Sequence, residues 1–252
     1  MKINKLVFIF ITTLVVSSCT NGQEKKEALN TDQSVGIVEQ VDAEQFKQMA
    51  EKGEGIILDV RTPEEINQGY IPGASTINIY DQDFESKLNL IQKDKPVYVY
   101  CKAGGRSNQA AELMKKNGFK KVYNLDGGIT SWMNKGFAVT KPEKVEDENI
   151  RQMTMDEFNT LLKINQPVLV DFHTLWCAPC RKMAPVVDKI SDDYKGKATV
   201  LRIDLDRSKE IAAHFQIQGV PVFILFKNGE QKWKHNGVIS EDELRKIIET
   251  YL

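Results

Sequence analysis

The fold of the second half of this chain is decided by the stretch from Val168 to Cys180, which reads VLVDFHTLWCAPC. The apolar run at its start predicts a buried strand, and a helix is predicted from Cys180 to Tyr194. Cys177 therefore stands just before a helix, where free backbone N–H groups and the helix dipole favour a thiolate. Cys180 lies one turn further on and can resolve a mixed disulfide. The motif predicts thiol–disulfide chemistry.

The same cysteine pair could be half of a zinc site. Only His173 lies nearby as a further ligand and the sequence has no second CxxC motif, so we expect no metal and no cofactor. For His173 we expect a partly exposed place on the strand rather than a proton relay or a metal ligand. Asp171 is either a satisfied core carboxylate or a functional acid, and its position on the strand that leads into the motif favours the functional role.

The rest of this half alternates between helices and strands. Capping boxes are predicted at Thr154/Glu157 and at Ser240/Glu243, each opening a helix. Strands are predicted over 199–205, 222–226 and 231–234, the last two joined by a hairpin around Asn228-Gly229. From about Met153 to Leu252 the sequence resembles thioredoxin. The matching residues are Asp171, Trp176, Cys177, Pro179, Cys180, Pro185, Val220, Pro221, Phe226-Lys227-Asn228-Gly229 and Gly237.

The resemblance implies a thioredoxin fold with a mixed sheet. It implies that Cys177 is the nucleophile, that Cys180 is the resolving thiol and that Asp171 is a buried acid that helps to deprotonate Cys180. It also implies roles for residues around them: Trp176 shields the site, the backbone of Val220 aligns the substrate chain before a cis Pro221, and Arg202 pairs with the buried acid. The sequence departs from the family at Ala178, which replaces the usual Gly, and at 173–175 (HTL), where the family has a Trp and an acidic residue.

The first half of the chain contains a second reactive cysteine. Cys101 opens the loop CKAGGRS, which continues through Lys102, Ala103, Gly104, Gly105, Arg106 and Ser107. A strand is predicted before the loop and a helix after it, so the loop N–H groups can converge on the sulfur. The two glycines permit tight curvature, and Arg106 can hold an anionic substrate. This setting would stabilise a thiolate or a persulfide anion on Cys101.

Strands predicted over 56–60, 74–79, 96–100 and 122–125 alternate in this half with helices predicted over 41–50, 84–91 and 107–117, which indicates a parallel α/β sheet. From about Val38 to Thr140 the sequence resembles a single-domain rhodanese, through the blocks Asp59–Glu65 with Gly69–Ala74, the CKAGGRS loop, and Leu125–Ile129 with Trp132. The resemblance implies that Cys101 accepts sulfane sulfur from a donor such as thiosulfate or a small persulfide. It implies that the residues from Lys102 to Ser107 bind the donor and that Asp59 and Arg61 brace the loop. Tyr70 replaces the commoner His.

Two alternatives apply to this half. Phosphatases and arsenate reductases place five residues between the Cys and the Arg of a similar loop, whereas four lie between Cys101 and Arg106, which disfavours oxyanion chemistry. The fold could also serve only as a binding module, although an intact Cys and Arg argue for catalysis.

The amino terminus resembles a bacterial lipoprotein signal. Lys2 and Lys5 precede an apolar stretch, Leu6 to Val16, that is too short to span a bilayer, and small residues then lead to Cys19. We expect residues 1–18 to be cleaved, Cys19 to bear lipid, and residues 19–35 to form a tether. An ordinary secretory signal with an incidental cysteine is the alternative. Either interpretation places the domains outside the cytoplasm, and we expect a bacterial envelope protein that faces the periplasm.

Length and composition fit two α/β domains. We expect a rhodanese-like domain over 36–140, a linker over 141–149 and a thioredoxin-like domain over 150–252. The net charge of -1 gives no reason to expect nucleic acid as a partner. We expect the Cys177/Cys180 dithiol to reduce either protein disulfides or the persulfide on Cys101, and a membrane thiol donor to reset it. The alternative is a tethered thioredoxin whose first domain does not turn over.

Overall fold

A computed structural model of the chain describes residues 36–142 and 152–252. The expected signal peptide, the lipid site at Cys19, the tether and residues 143–149 of the expected linker lie outside the described residues. Within them, no helix is both long and apolar enough to cross a membrane.

The first half is built on one parallel sheet. Its strands have the order β1-β5-β4-β2-β3, and every neighbouring pair is parallel. The central strand β4 is buried along its whole length, as expected for a strand covered on both faces. The strands are β1 (Ile37–Val41), β2 (Ile56–Asp59), β3 (Ser75–Thr76), β4 (Val97–Tyr100) and β5 (Lys121–Leu125); the helices are α1 (Ala43–Glu51), α2 (Pro63–Asn67), α3 (Phe84–Leu88), α4 (Gly105–Lys116) and α5 (Gly128–Asn134).

The second half is built on a mixed sheet of order β7-β6-β8-β9. Strand β6 runs parallel to β7 and antiparallel to β8, which confirms the predicted mixed sheet. Both predicted capping boxes are present, and they open α6 and α9. The elements are α6 (Met155–Leu161), β6 (Val168–His173), α7 (Ala178–Asp193), β7 (Thr199–Asp204), α8 (Lys209–His214), β8 (Val222–Lys227), β9 (Glu230–Asn236) and α9 (Glu241–Thr250).

Three features differ from the sequence prediction. Strand β1 and helix α2 were not predicted, because only Val41 of β1 is buried and none of the five residues of α2 is. The expectation that His173 is partly exposed is wrong: its exposed fraction is 2%. The reason is that β6 is a central strand with neighbours on both sides, and all six of its residues are buried.

The two halves share one hydrophobic cluster. Val60, Ile77 and Leu88 from the first half belong to the same buried set as Trp176 and Val220 from the second. Backbone hydrogen bonds also cross the boundary, and they involve the segments around β3 and after α3. The face of the second half that bears the CAPC motif is therefore packed against the first half.

Candidate functional sites

The structure places the CAPC motif at the start of α7, and its cysteines form a disulfide. Cys177 is the N-cap of that helix, and the backbone N–H of Cys180 donates a hydrogen bond to Cys177 Sγ at 3.1 Å. Once the disulfide is reduced, the same N–H group and the helix dipole stabilise a thiolate on Cys177. The peptide bond between Val220 and Pro221 is cis, as the sequence resemblance predicted.

Asp171 lies fully buried on β6, in register with Arg202 on β7. The Nε atom of Arg202 lies 3.6 Å from Asp171 Oδ2, which confirms the predicted charge pair. Burial raises the pKa of Asp171 to about 7, although the positive charge of Arg202 opposes the rise. A carboxyl group with such a pKa can both accept and release a proton near neutral pH.

Cys101 is the first residue after β4, and its loop closes around the sulfur. The Gly104 N–H donates to Cys101 Sγ at 3.2 Å, and the Ser107 hydroxyl lies 3.4 Å from the same sulfur. Burial raises the pKa of the thiol, but hydrogen bonds from Ser107, Ala103 and Gly104 outweigh burial, so the pKa lies below its usual value. Lys102, Ala103 and Gly105 are exposed at the rim of the loop. The loop is therefore organised to hold an anion on sulfur.

Helix α5 fixes this loop from behind. The N–H groups of Ile129 and Thr130 donate to the carbonyls of Cys101 and Lys102 at 2.8 and 3.2 Å. Gly128 has φ +58, and a Cβ there would lie 2.4 Å from the Cys101 carbonyl oxygen. Only glycine allows so close an approach, which turns the carbonyls of Cys101 and Lys102 toward α5 and leaves the Gly104 N–H facing the sulfur.

Arg61 and Arg106 bind other partners than the sequence predicted. Arg106 forms a two-pronged ion pair with Glu65, with both N–O distances at 2.7 Å. The Arg61 guanidinium bonds Asp59 and the carbonyls of Glu65 and Gly69. The prediction that Asp59 and Arg61 brace the cysteine loop by hydrogen bonds is thus corrected: among the described residues, Asp59 bonds Arg61, and Arg61 in turn holds segment 65–69. Glu65 then links that segment to Arg106.

The CAPC motif is bonded to the edge of the parallel sheet. The Thr76 N–H donates to the Trp176 carbonyl at 3.1 Å, and the Ala178 N–H donates to Ser75 Oγ at 3.0 Å. The Val220 N–H donates to the Leu90 carbonyl at 3.0 Å. Segments of the first half therefore occupy the backbone groups next to the disulfide, and the exposed fraction of Cys177 is 2%.

The sheet also separates the two cysteine sites. Asp59 is in register with Thr76 on one side and with Tyr100, which precedes Cys101, on the other. From Tyr100 to Trp176 the backbone thus crosses three interstrand steps, about 15 Å. Cys101 follows the central strand β4, whereas Cys177 lies beyond the edge strand β3, so a direct reaction between the two sulfurs requires their segments to approach each other.

Comparison with known proteins finds a family match in each half of the chain. Residues 149–250 match the family model of thioredoxin, and residues 42–135 match that of the rhodanese-like domain. Thioredoxin of Rickettsia bellii is 38% identical over 100 residues, which cover 40% of this chain and 93% of that protein. Thioredoxin of Staphylococcus saprophyticus is 40% identical over 84 residues, or 33% of this chain and 81% of that protein.

The match to the chloroplastic M-type thioredoxin of Spinacia oleracea is 36% over 107 residues, 42% of this chain. The chain spans 58% of the length of that relative. A solved thioredoxin of Plasmodium falciparum is 30% identical, with 41% of this chain and 99% of that chain covered and a TM-score of 0.38. Fold and site define a two-domain protein with a rhodanese-like domain and a thiol–disulfide oxidoreductase domain. The chain belongs to the thioredoxin family.

Sequence reasoning missed three residues of these sites. Glu65 ends the sequence block Asp59–Glu65, but its pairing with Arg106 depends on a tertiary contact 41 residues away. Ser75 and Leu90 contact the CAPC face only because the two domains dock. Such a contact between domains leaves no pattern in the local sequence.

Proposed function

We propose that this protein couples sulfur transfer at Cys101 to dithiol oxidation at Cys177 and Cys180. The observation on which the proposal rests is that the CAPC motif is hydrogen-bonded to Ser75 and Thr76, on the same sheet that presents Cys101. The two sites are held in one folded unit, so each is present at high effective concentration for the other.

The first step is the loading of Cys101. Its thiolate attacks the outer sulfur of a sulfane donor such as thiosulfate, the S–S bond of the donor breaks, and sulfite leaves with the electron pair. The product is a persulfide anion on Cys101. The hydrogen bonds from Gly104 and Ser107 that lower the thiol pKa would stabilise this anion in the same way.

The second step uses the reduced dithiol. The Cys177 thiolate attacks the terminal sulfur, Cys101 leaves as thiolate, and the sulfur passes to Cys177. The Cys180 thiol, losing its proton to Asp171, then attacks Cys177 Sγ, which forms the disulfide and releases hydrosulfide. Two electrons from the dithiol reduce one sulfane sulfur. Because the sites are separated in the docked arrangement, a movement of the active-site segments or domains must precede this step.

We further propose that the mature chain is anchored by lipid on Cys19 in a bacterial cell envelope and faces the periplasm. A reductant at the membrane would then reset the disulfide. Labelling cells with an alkyne fatty acid tests the anchor: the wild-type chain should be labelled and Cys19→Ala should not. Labelling of both chains would contradict lipidation at Cys19.

The coupling is tested by mass spectrometry on the soluble chain from residue 20 onward, reduced, treated with thiosulfate and quenched by alkylation. In the wild-type protein we expect a Cys177–Cys180 disulfide and one hydrosulfide per chain. In Cys177→Ser the persulfide should remain on Cys101. In Cys101→Ser neither product should form.

A different result would favour the second candidate, a thioredoxin whose first domain is a binding module. In that case Cys101 stays an unmodified thiol with thiosulfate and with small persulfides, while the dithiol still reduces a protein disulfide such as insulin. The burial of Cys101, at 2% exposed, is the observation that favours this candidate.

A further inference from the structure

A cleft of about 660 Å³ opens between the two halves, and none of the three reactive cysteines lines it. Residues from segments 92–95 and 118–120 of the first half and from segments 216–219 and 234–236 of the second half form its lining. Four of these residues are side-chain amides. Among the described residues, the charged lining groups are four lysines and one aspartate: Lys93, Lys95, Lys120, Lys234 and Asp94. The lining is therefore polar and positively charged.

Neighbouring carboxylates do not neutralise these lysines. Lys95, Lys120 and Lys234 are exposed, and none of them forms an ion pair within the part of the chain that the structure describes. The Lys93 ammonium lies 3.1 Å from Asn89 Oδ1 and 5.7 Å from the centre of the Phe119 ring, and both of these partners are uncharged. Several unpaired ammonium groups around one cleft produce a local positive potential that attracts anions.

The chain enters the fold next to this cleft. Gly36 is the first residue that the structure describes. The Ile37 N–H donates to the Lys120 carbonyl at 2.9 Å, and the Lys120 N–H donates to the Lys93 carbonyl at 3.1 Å. Sixteen residues separate Cys19 from Gly36, and even a fully extended segment of that length spans at most about 60 Å. If Cys19 bears lipid, the cleft lies on the side at which the chain arrives from the membrane.

We propose that this cleft, with the lysines around it, binds the anionic surface of a phospholipid membrane. The headgroup phosphates accept charge-assisted hydrogen bonds from the ammonium groups of Lys95, Lys120 and Lys234, and the side-chain amides supply neutral donors. Each lysine near an anionic membrane strengthens binding about fivefold. A lipid anchor holds the cleft close to the headgroups, so weak binding is sufficient to orient the protein.

Both halves contribute to this surface, because Lys234 lies on β9 and the other three lysines belong to the first half. The docked arrangement, with its hydrogen bond from Val220 to Leu90, brings the two sets together. A membrane that contacts all four lysines therefore also favours the docked arrangement. The inference takes the membrane from the proposed lipid anchor, and it does not depend on sulfur transfer at Cys101.

Cosedimentation with vesicles tests the proposal on the soluble chain from residue 20 onward. One set of vesicles contains phosphatidylcholine alone, and the other contains equal parts of phosphatidylcholine and phosphatidylglycerol. At low ionic strength we expect binding to the anionic vesicles to be at least about tenfold stronger, and to weaken as salt is added. The net charge of the whole chain is -1, so its overall charge cannot produce this preference. Equal binding to both sets overturns the proposal.

Two triple variants with the same change in net charge locate the binding surface. Lys95→Gln/Lys120→Gln/Lys234→Gln should weaken binding to the anionic vesicles at least about tenfold. The control replaces three exposed lysines that do not line the cleft, and these are Lys163, Lys195 and Lys197. The control should bind as the wild-type chain does. An equal loss of binding in both variants overturns the proposal.

Inorganic phosphate separates a membrane surface from a small free anion as the ligand. At constant ionic strength, replacing chloride with phosphate should change vesicle binding by less than about twofold, because both salts screen the charges equally. Phosphate that displaces the protein from the vesicles would mean that the cleft takes a single small anion, which also overturns the proposal. Fatty-acid labelling at Cys19 can fail while vesicle binding stands, and the reverse can occur, so the two proposals are separable.

Discussion

At the scale of single residues, the protonation of Asp171 makes the stability of the protein depend on pH. Its pKa is raised to about 7 by burial, so the native state holds a proton that the unfolded chain releases near pH 4. The stabilisation from this proton is complete below the unfolded pKa and is lost as the pH rises toward 7 and above. Above neutral pH the protein keeps a buried carboxylate at a cost to its stability.

We therefore predict that Asp171→Asn stabilises the oxidised protein at pH 8 by about 2–4 kcal/mol and flattens the fall in stability between pH 4 and 8. Urea unfolding at several pH values measures this. The variant should also reduce insulin more slowly near pH 7, since Cys180 loses its proton acceptor. Asp188→Asn, which removes the more exposed partner of Arg202, is the control and should leave the pH profile nearly unchanged. A wild-type pH slope in Asp171→Asn would refute the assignment.

The Glu65–Arg106 pair is a second residue-scale feature. Arg106 holds the pKa of Glu65 at about 2, so the carboxylate is ionised throughout the physiological range and its stabilising effect is lost only at strongly acidic pH. Glu65 neutralises Arg106, the arginine of the Cys101 loop. We predict that Glu65→Gln lowers the KM for thiosulfate about threefold, as one freed guanidinium attracts the anion. Steady-state sulfur-transfer kinetics test this, with Glu64→Gln as the matched control; an increased KM would mean that Glu65 positions Arg106 instead.

At the scale of elements, the junction between α5 and the cysteine loop determines whether Cys101 is activated. The α5 N–H groups bind the Cys101 and Lys102 carbonyls, and Gly128 makes that approach possible. Loop and helix therefore act as one element, although 27 positions separate Cys101 from Gly128.

We predict that Gly128→Ala displaces the loop and raises the pKa of the Cys101 thiol, so that alkylation at pH 7 slows by about tenfold. Gly136→Ala is a matched control, because Gly136 also has positive φ, at +74, but a Cβ there meets nothing within 4 Å. It should show only the backbone strain of about 1 kcal/mol. Equal alkylation rates in the two variants would contradict the role given to the junction.

Helices and strands were predictable where the local sequence contains a capping box or a continuous apolar run. Thr154 and Ser240 open their helices through capping boxes, and β4 and the first three residues of β6 are apolar because both faces of these strands are covered. Strand β1 was not predictable, since four of its five residues are not buried and its pairing with β5 comes from the sheet alone. The reactive cysteines were placed correctly by their motifs, whereas the contacts of Arg61 and Arg106 depend on where distant segments meet.

At the scale of the whole molecule, the docked domains restrict access to the disulfide. Gly219 lies at this boundary, and a Cβ on it would lie 2.6 Å from Gln92 Cγ in the other half. The backbone of Gly219 does not have positive φ, so alanine introduces a collision between domains without local strain.

We predict that Gly219→Ala opens the docked arrangement and speeds the reduction of insulin by the full soluble chain by about three- to tenfold, since opening raises the binding-competent fraction. Small-angle X-ray scattering should show an increased radius of gyration. In the double variant with Gln92→Ala the Cγ is gone, the nearest remaining Gln92 atoms are 3.3 and 3.4 Å away, and both readouts should return toward wild type. A compact Gly219→Ala with unchanged insulin reduction would show that docking does not limit access.

In the proposed reduction of protein disulfides, the hydrogen bond from the Val220 N–H to the Leu90 carbonyl competes with the binding of a protein substrate. An extended client strand that needs the same N–H binds only the fraction of molecules in which Leu90 has left, and its apparent dissociation constant is divided by that fraction. If about 1% of molecules are open, a client appears about a hundredfold weaker than its contacts would allow. Protein substrates that are abundant, or that are held near this protein, are therefore reduced preferentially. A dilute substrate that is not held nearby seldom binds, whatever the reactivity of its disulfide.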